Sequence, residues 1–250
     1  MQLFSGENPM GLSVIILAAG HGKRMNSSLP KVLHTLGGLT MIEHVVNTAK
    51  QLSPEQLIVV YGHQGEMVRN ALQSHTITWV MQRERLGTGH AAMQALPLIP
   101  DGNNVLVLYG DVPMITVETL KQFVTETPKN SLGIVTAYFP DPTGIGRVIR
   151  NEKNQIIEII EEKDADEMQR QIKEVNTGFY FAPAEFLRKW LPTLKNLNAQ
   201  QEYYLTDIIA MAVKDSFPVH GMILVNYQEA IGINNLNQLA EAENYLINKN

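Results

Sequence analysis

Leu12-Ser-Val-Ile-Ile-Leu-Ala-Ala-Gly-His-Gly-Lys-Arg-Met-Asn-Ser-Ser-Leu-Pro-Lys31 is the stretch from which the fold follows. Its β-branched run predicts a strand over residues 13–17. Ala18, Ala19, Gly20 and Gly22 then let the backbone approach a ligand closely with N–H groups turned inward, which makes an anion nest. The spacing does not match GxxxxGK[ST], and Met25 stands where the third glycine of GxGxxG belongs, so neither a P-loop ATPase nor a Rossmann dehydrogenase is indicated. Arg24 and Lys31 add two cations to the segment, as triphosphate chemistry requires. Standing alone, the segment also reads as a sharp strand-to-helix turn with solvated basic residues.

Working outward, short β-branched runs alternate with helical periods, the pattern of βαβ units around a mostly parallel sheet. Further strands are predicted over residues 57–61, 76–81 and 104–108. Thr40 and Glu43 form a capping-box signature ahead of Met41, Ile42, Val45, Val46, Ala49 and Leu52, which recur at helical spacing. Later helices are predicted over 89–96 and 116–124. From Ser131 the texture changes to strands over 132–139, 147–151, 156–161 and 175–181, with one short helix over 164–171, which predicts a partly antiparallel lobe. Helices over 184–191 and 205–213, a strand over 219–225 and a helix over 235–247 complete the series. Ligands in such sheets sit outside the carboxyl ends of the strands.

The 250 residues suffice for one large unit with a smaller lobe; 44% are hydrophobic and 18% charged, which is ordinary for a globular protein. A net charge of -5 argues against nucleic-acid binding, so an anionic ligand needs a local cluster of cations. Without cysteine, a metal must use oxygen or imidazole ligands. The histidines show no zinc-pair spacing, and none receives a role. Residues 1–11 read as a flexible extension without signal-peptide character, and the apolar run from Val14 to Ala19 is too short to cross a hydrocarbon core of roughly 30 Å. The expectation is a cytoplasmic protein without membrane insertion, its residues 12–250 forming one α/β unit.

Specific motifs follow in order. Leu17-Ala18-Ala19-Gly20-x-Gly22 leads to Arg24-Met25 and Leu29-Pro30-Lys31-Val32-Leu33; then come Gln82, Leu86-Gly87-Thr88-Gly89-His90-Ala91 and Leu108-Tyr109-Gly110-Asp111-Val112-Pro113. Asp141-Pro142-Thr143-Gly144-x-Gly146-Arg147, Glu161-x-Lys163-Asp164, Asn176-Thr177-Gly178, Glu202-Tyr203-Tyr204-x-Thr206-Asp207 and Gly232-Ile233-Asn234-Asn235 complete the set. The set resembles sugar-nucleotide pyrophosphorylases, and within them the uridylyltransferase domain of the bacterial bifunctional N-acetylglucosamine-1-phosphate uridylyltransferase/glucosamine-1-phosphate acetyltransferases. The resemblance covers nearly the whole chain from Leu12. It implies a Rossmann-like α/β nucleotidyltransferase fold, with a mixed, mostly parallel central sheet, helices on both faces and a smaller sugar-binding lobe.

The implied activity is magnesium-dependent transfer of uridylyl from UTP to N-acetylglucosamine 1-phosphate, giving UDP-N-acetylglucosamine and pyrophosphate for cell-wall and lipopolysaccharide precursors. By the resemblance, Arg24, Lys31 and Asp111 are catalytic and Asp111 and Asn234 hold Mg2+; Leu17, Ala18, Ala19, Gly20, Gln82, Gly87 and Thr88 bind the nucleotide, and Tyr109, Gly110, Gly146, Glu161, Asn176 and Asn234 face the sugar. A carboxamide such as Gln82 suits uracil because it donates to O4 and accepts from N3–H. Asp111 and Asn234 taken alone also read as turn residues, Gln82 as a solvated strand end, Thr88 as a helix cap and Glu161 as part of a solvated acidic face. Lys23 departs from the threonine usual before the arginine. The left-handed β-helix that carries acetyl transfer and trimerisation in the bifunctional family is absent from these residues, so no acetyltransferase is expected, and a monomer or weak oligomer is. A pyrophosphorylase for another sugar 1-phosphate or nucleotide and a non-catalytic sugar-nucleotide sensor are the rival readings.

Overall fold

The computed structural model describes residues 11–20, 25, 27–62 and 64–249. Residues 1–10 of the expected 1–11 extension, together with Gly22, Lys23 and Arg24, lie outside the described residues. In chain order the first half contains β1 (Leu12–Ala18), β2 (Thr35–Leu36), β3 (Leu39–Thr40), α1 (Met41–Lys50), β4 (Gln56–Tyr61), α2 (Gly65–Ala71), β5 (Thr78–Met81), α3 (Thr88–Ala95), β6 (Asn104–Tyr109) and α4 (Val117–Glu126). The second contains β7 (Leu132–Tyr138), β8 (Arg147–Arg150), β9 (Ile156–Ile160), α5 (Glu167–Arg170), β10 (Glu174–Pro183), α6 (Ala184–Trp190), α7 (Ile208–Lys214), β11 (Val219–Leu224) and α8 (Leu236–Lys249).

Among the described residues nine strands form one sheet in the order β11-β7-β10-β6-β1-β4-β5, with β8 and β9 branching from β10. β1 is parallel to both neighbours, and Leu17 stands opposite Val60 of β4 and Tyr109 of β6. β5 continues parallel to β4, and β11 is parallel to β7. β10 alone is reversed along this path, antiparallel to β6 and to β7. The mixed, mostly parallel sheet thus has the expected form, and β8 and β9 make the smaller antiparallel lobe.

Strand β1 is buried on both faces because side chains alternate across a sheet. Val14, Ile16 and Ala18 join one apolar cluster with Ile42, Val45, Val46 and Ala49 of α1 and Leu120 and Phe123 of α4. Ile15 and Leu17 join another with Ala91, Ala92 and Ala95 of α3, Leu187 and Trp190 of α6, and Ile208, Ile209 and Ala212 of α7. Helices therefore cover both faces. The Thr40–Glu43 capping box forms: Glu43 N donates to Thr40 Oγ1 at 3.3 Å and Thr40 N to Glu43 Oε2 at 2.7 Å. Such a cap contributes about 1 kcal/mol.

Two elements go beyond the sequence-based expectation. Helix α2 begins at Gly65 after Gln64, which gives it no side-chain cap, and buries only Gly65 and Val68, so it carries little periodic signal. β2 and β3 pair as a two-strand hairpin joined by Gly37 and Gly38. Several bounds also shift. The segment expected as a helix over 205–213 opens as a 3-10 turn, Leu205–Asp207, before α7, and α5 keeps only the capped centre of its expected span, with Asp166 accepting from Gln169 N at 2.8 Å. Among the described residues no helix is long and apolar enough to cross a membrane.

Candidate active site

The parallel strands β1, β4, β5 and β6 end side by side, and the residues beyond those ends build the site. Leu17 and Ala18 are the last residues of β1, followed by buried Ala19 and exposed Gly20. A Cβ on Gly20 would meet nothing within 4 Å among the described residues. Gly110 N–H donates to Leu17 O at 2.9 Å. Its amide is therefore committed to fastening β6 to β1, which leaves Gly110 the roles of spacing and close packing rather than donation to a sugar.

Gln82 follows β5 and is anchored by its N–H to Tyr61 O at 2.8 Å. Its side chain is buried, with Nε2 donating to Gly87 O and lying beside His90 Nδ1, each at 3.0 Å. A primary amide has two hydrogens; one is held by Gly87 O, and the contact with His90 Nδ1 holds the other when that ring atom carries a lone pair. Gly87 makes this possible, since at φ +106° it bends the chain into α3 and a Cβ would stand 2.6 Å from Tyr203 O. Gly87 caps α3, and Thr88 is the first helical residue, its hydroxyl accepting from Leu205 N at 3.1 Å. Thr88 thus links the start of α3 to the segment before α7 rather than capping its own helix.

Lys31, Asp111 and Asn234 meet from three distant parts of the chain. Lys31 opens the 3-10 turn Lys31–Leu33 after Pro30, and Asp111 lies two residues beyond the end of β6. Asn234 precedes α8, which packs through Ala242, Leu239 and Leu246 in a small cluster with Leu36, Met41 and Ile233. Ile233 N donates to Asp111 O at 2.9 Å and Asn234 N to Gln238 Oε1 at 2.8 Å. Because Asn234 Nδ2 donates to Gly232 O at 3.1 Å, its oxygen is turned outward. The Lys31 ammonium hydrogen-bonds the Asp111 carboxylate and Asn234 Oδ1, the latter at 2.9 Å. Two oxygens thus converge on one cationic point. Among the described residues no cluster of three or more His, Cys, Asp or Glu could hold a metal. One carboxylate with one amide oxygen fits a magnesium ion that completes its octahedron with water and phosphate.

The opposite wall comes from the smaller lobe. Gly146 precedes β8, Glu161 follows β9 and Asn176 lies on β10. Asn176 N donates to Gly146 O at 2.9 Å, drawing two of these positions together. A Cβ on Gly146 would stand 3.0 Å from Ile159 Cγ2 and 3.5 Å from the Glu161 carboxyl, so a side chain there would crowd the wall. Beside it the fully buried Arg147 donates to Ile145 O, to Arg170 O at 3.2 Å and to Glu162 Oε2 at 2.7 Å. Those bonds fix the turn that carries Gly146.

Asn176 is aimed by a break in the β10 register between Asn176 and Tyr180. Gly178 sits in that break at φ +88°, donating to Asn176 Oδ1 at 2.9 Å, and a Cβ on it would lie 2.6 Å from the Tyr109 ring. Only glycine gives both the left-handed backbone and the room for Tyr109. Glu161 Oε1 accepts from Thr206 Oγ1 at 3.2 Å. Burial raises the Glu161 pKa; the Thr206 bond opposes this, while Asp207, Asp164 and Glu202 push the same way as burial. Burial likewise raises Tyr109, aided by the charges of Glu161 and Asp111. Thr206 and His90, which touch Glu161 and Gln82, stand inside the ordered motifs but carry no functional spacing of their own.

Residues 14–210 match the MobA-like NTP transferase domain. The chain is 50% identical over 236 residues to the bifunctional protein GlmU of Coxiella burnetii (strain RSA 493 / Nine Mile phase I), covering 94% of this chain and 52% of that protein. It is also 50% identical over 234 residues to the bifunctional protein GlmU of Francisella tularensis subsp. novicida (strain U112), with 94% and 51% covered. The chain therefore spans about half the length of the curated relatives it matches. A solved UDP-glucose pyrophosphorylase complexed with UDP-glucose superimposes with a TM-score of 0.75 at 16% identity, covering 96% of this chain and 100% of that one, which is a likeness of fold.

Proposed function

The chain belongs to the MobA-like NTP transferase family, and from that premise we propose that it is a magnesium-dependent UDP-N-acetylglucosamine diphosphorylase. In this reading UTP and N-acetylglucosamine 1-phosphate give UDP-N-acetylglucosamine and pyrophosphate in the cytoplasm, supplying precursors of cell wall and lipopolysaccharide. The observation that carries it is the meeting of Lys31, Asp111 and Asn234 beyond the end of β6, a strand that the sheet order puts between β5, which Gln82 follows, and β10, which carries Asn176.

A phosphate oxygen of the sugar 1-phosphate attacks the α-phosphorus of UTP in line, the bond to the β-phosphate oxygen breaks, and pyrophosphate leaves. The chain contributes position and charge. Gln82 Oε1 accepts from uracil N3–H. Ala18, Ala19, Gly20 and Gly87 bring backbone close to the nucleotide. Lys31 turns to the α-phosphate and sugar phosphate, while Arg24 is assigned to the β- and γ-phosphates. Asp111 and Asn234 would hold magnesium, which when bound offsets charge on both reactants. Glu161, Asn176 and Tyr109 orient the sugar.

The test is pyrophosphate release with magnesium and UTP across a panel of sugar 1-phosphates, repeated with other nucleoside triphosphates. N-acetylglucosamine 1-phosphate with UTP is expected to be the best pair. Better turnover with another pair would reassign the substrate, and release from no pair would refute an enzyme.

A further inference from the structure

We infer that His90 sets the nucleotide preference by fixing which atom of Gln82 faces the base. The inference rests on the reading above, in which Gln82 borders the base pocket. His90 lies in the first turn of α3, where its ring faces two carboxamides. Gln82 Nε2 is 3.0 Å from Nδ1, and Gln94 Nε2 is 3.2 Å from the ring's Nε2.

The proton on the ring follows from what each neighbour can do. Gly87 O only accepts, so the Gln82 atom 3.0 Å from it is the donating nitrogen. That same nitrogen meets His90 Nδ1, which must therefore carry a lone pair, and the ring proton sits on Nε2. Gln94 then has to turn its oxygen toward Nε2–H. Its competing bond, to His90 O at 3.2 Å, is a local contact within its own helix, and Gln94 is only half-buried. Gln82 is 3% exposed and has no such freedom.

With both amide hydrogens held, Gln82 offers the base an acceptor and no donor. Uracil presents a donating N3–H and fits. Cytosine has a lone pair at N3, so two acceptors would face each other and one buried lone pair would stay unmatched, a condition that sites built on hydrogen bonds reject strongly. Without Nδ1 as an anchor, one amide hydrogen is free, the carboxamide can rotate, and the pocket accepts either pattern. His90 does not touch the substrate; it is a positioning residue acting through Gln82.

The experiment compares kcat and KM for UTP and CTP, with N-acetylglucosamine 1-phosphate, in the unmodified chain, His90→Ala and His90→Asn. The UTP-to-CTP ratio of kcat/KM is expected to fall about tenfold in His90→Ala, the worth of one hydrogen bond. The change should come through KM, because the base is remote from the reacting phosphorus. Asn Oδ1 can replace Nδ1 as an acceptor, so His90→Asn should restore the ratio. A ratio within twofold of the unmodified value in folded His90→Ala overturns the inference. Nitrogen-15 NMR of histidine-labelled protein, assigned with His90→Asn, provides a readout that needs no folded alanine variant. The Nε2–H tautomer supports the inference, and a proton on Nδ1 overturns it. Absence of turnover by the unmodified chain would overturn the proposed function, and the tautomer would then judge His90 independently.

Discussion

Lys31 Nζ donates to Asn234 Oδ1 at 2.9 Å although the two residues are 203 positions apart in sequence. The same ammonium bonds the Asp111 carboxylate. One cation thus already satisfies both oxygens assigned to magnesium, so Lys31 and a divalent ion compete for them. Lys31→Ala is expected to bind Mn2+ without nucleotide about tenfold more tightly than the unmodified chain, on the scale of one charge-assisted hydrogen bond. Electron paramagnetic resonance titration measures it, and equal or weaker binding would show that the contact does not compete.

Turnover should move the other way. Lys31→Ala and Asp111→Ala, and with them Arg24→Ala, are each expected to lower kcat on the order of 10²-fold, the scale for losing one group that stabilises transition-state charge. Steady-state pyrophosphate release checks each variant separately; near-normal turnover in a folded variant removes that residue from the chemistry.

Gly178→Ala combines a left-handed backbone, φ +88°, with a Cβ 2.6 Å from the Tyr109 ring. The expected cost is about 2 kcal/mol of stability, read from urea unfolding. Displacement of Tyr109 should also raise KM for the sugar phosphate more than KM for UTP. Equal effects on both would detach Tyr109 from the sugar side.

Asp207 has its pKa raised to about 6 by burial, with Glu158 and Asp164 adding like charge. Between its ordinary value of 3.8 and about 6 the folded chain holds a proton that the unfolded chain has lost. This group's contribution to stability therefore falls as pH rises through that window. Asp207→Asn is expected to be more stable than the unmodified chain at pH 7 by about 1 kcal/mol, after discounting for its partial exposure, and to lose the advantage below pH ~4. Thermal melts across pH test this, and a pH-independent difference would contradict it.

Much of the fold was legible because local and tertiary signals agree. In β1 the residues alternate between two cores, and Thr40 with Glu43 caps the helix that the apolar spacing predicts. α2 escaped notice because it has neither a cap nor a full apolar stripe. For the site, residue types and motif order were readable, but orientation was not. Gln82 loses its donor role to Gly87 and His90, and Gly110 loses its amide to Leu17, through bonds that composition and spacing do not encode. His90 shows no zinc-pair spacing, and its ring lies against the carboxamides of Gln82 and Gln94 instead. Asn234 was readable only by resemblance, since α8 and the Asp111–Ile233 bond are what bring it to Lys31 and Asp111.

The reversed strand β10 has a consequence for synthesis on the ribosome. Strands β1, β4, β5 and β6 are complete by Tyr109 and pair with one another, so this parallel half of the sheet can close early from neighbouring units. β7 follows without a partner, because its neighbours β10 and β11 are both translated later. Until Glu174 emerges, the nascent sheet keeps unpaired edges at β6 and β7, the kind of edge that draws chaperones or aggregation. A growing chain therefore completes the strand ends beside Gln82 and Asp111 first, the Gly146–Asn176 segment second and the Asn234 turn last.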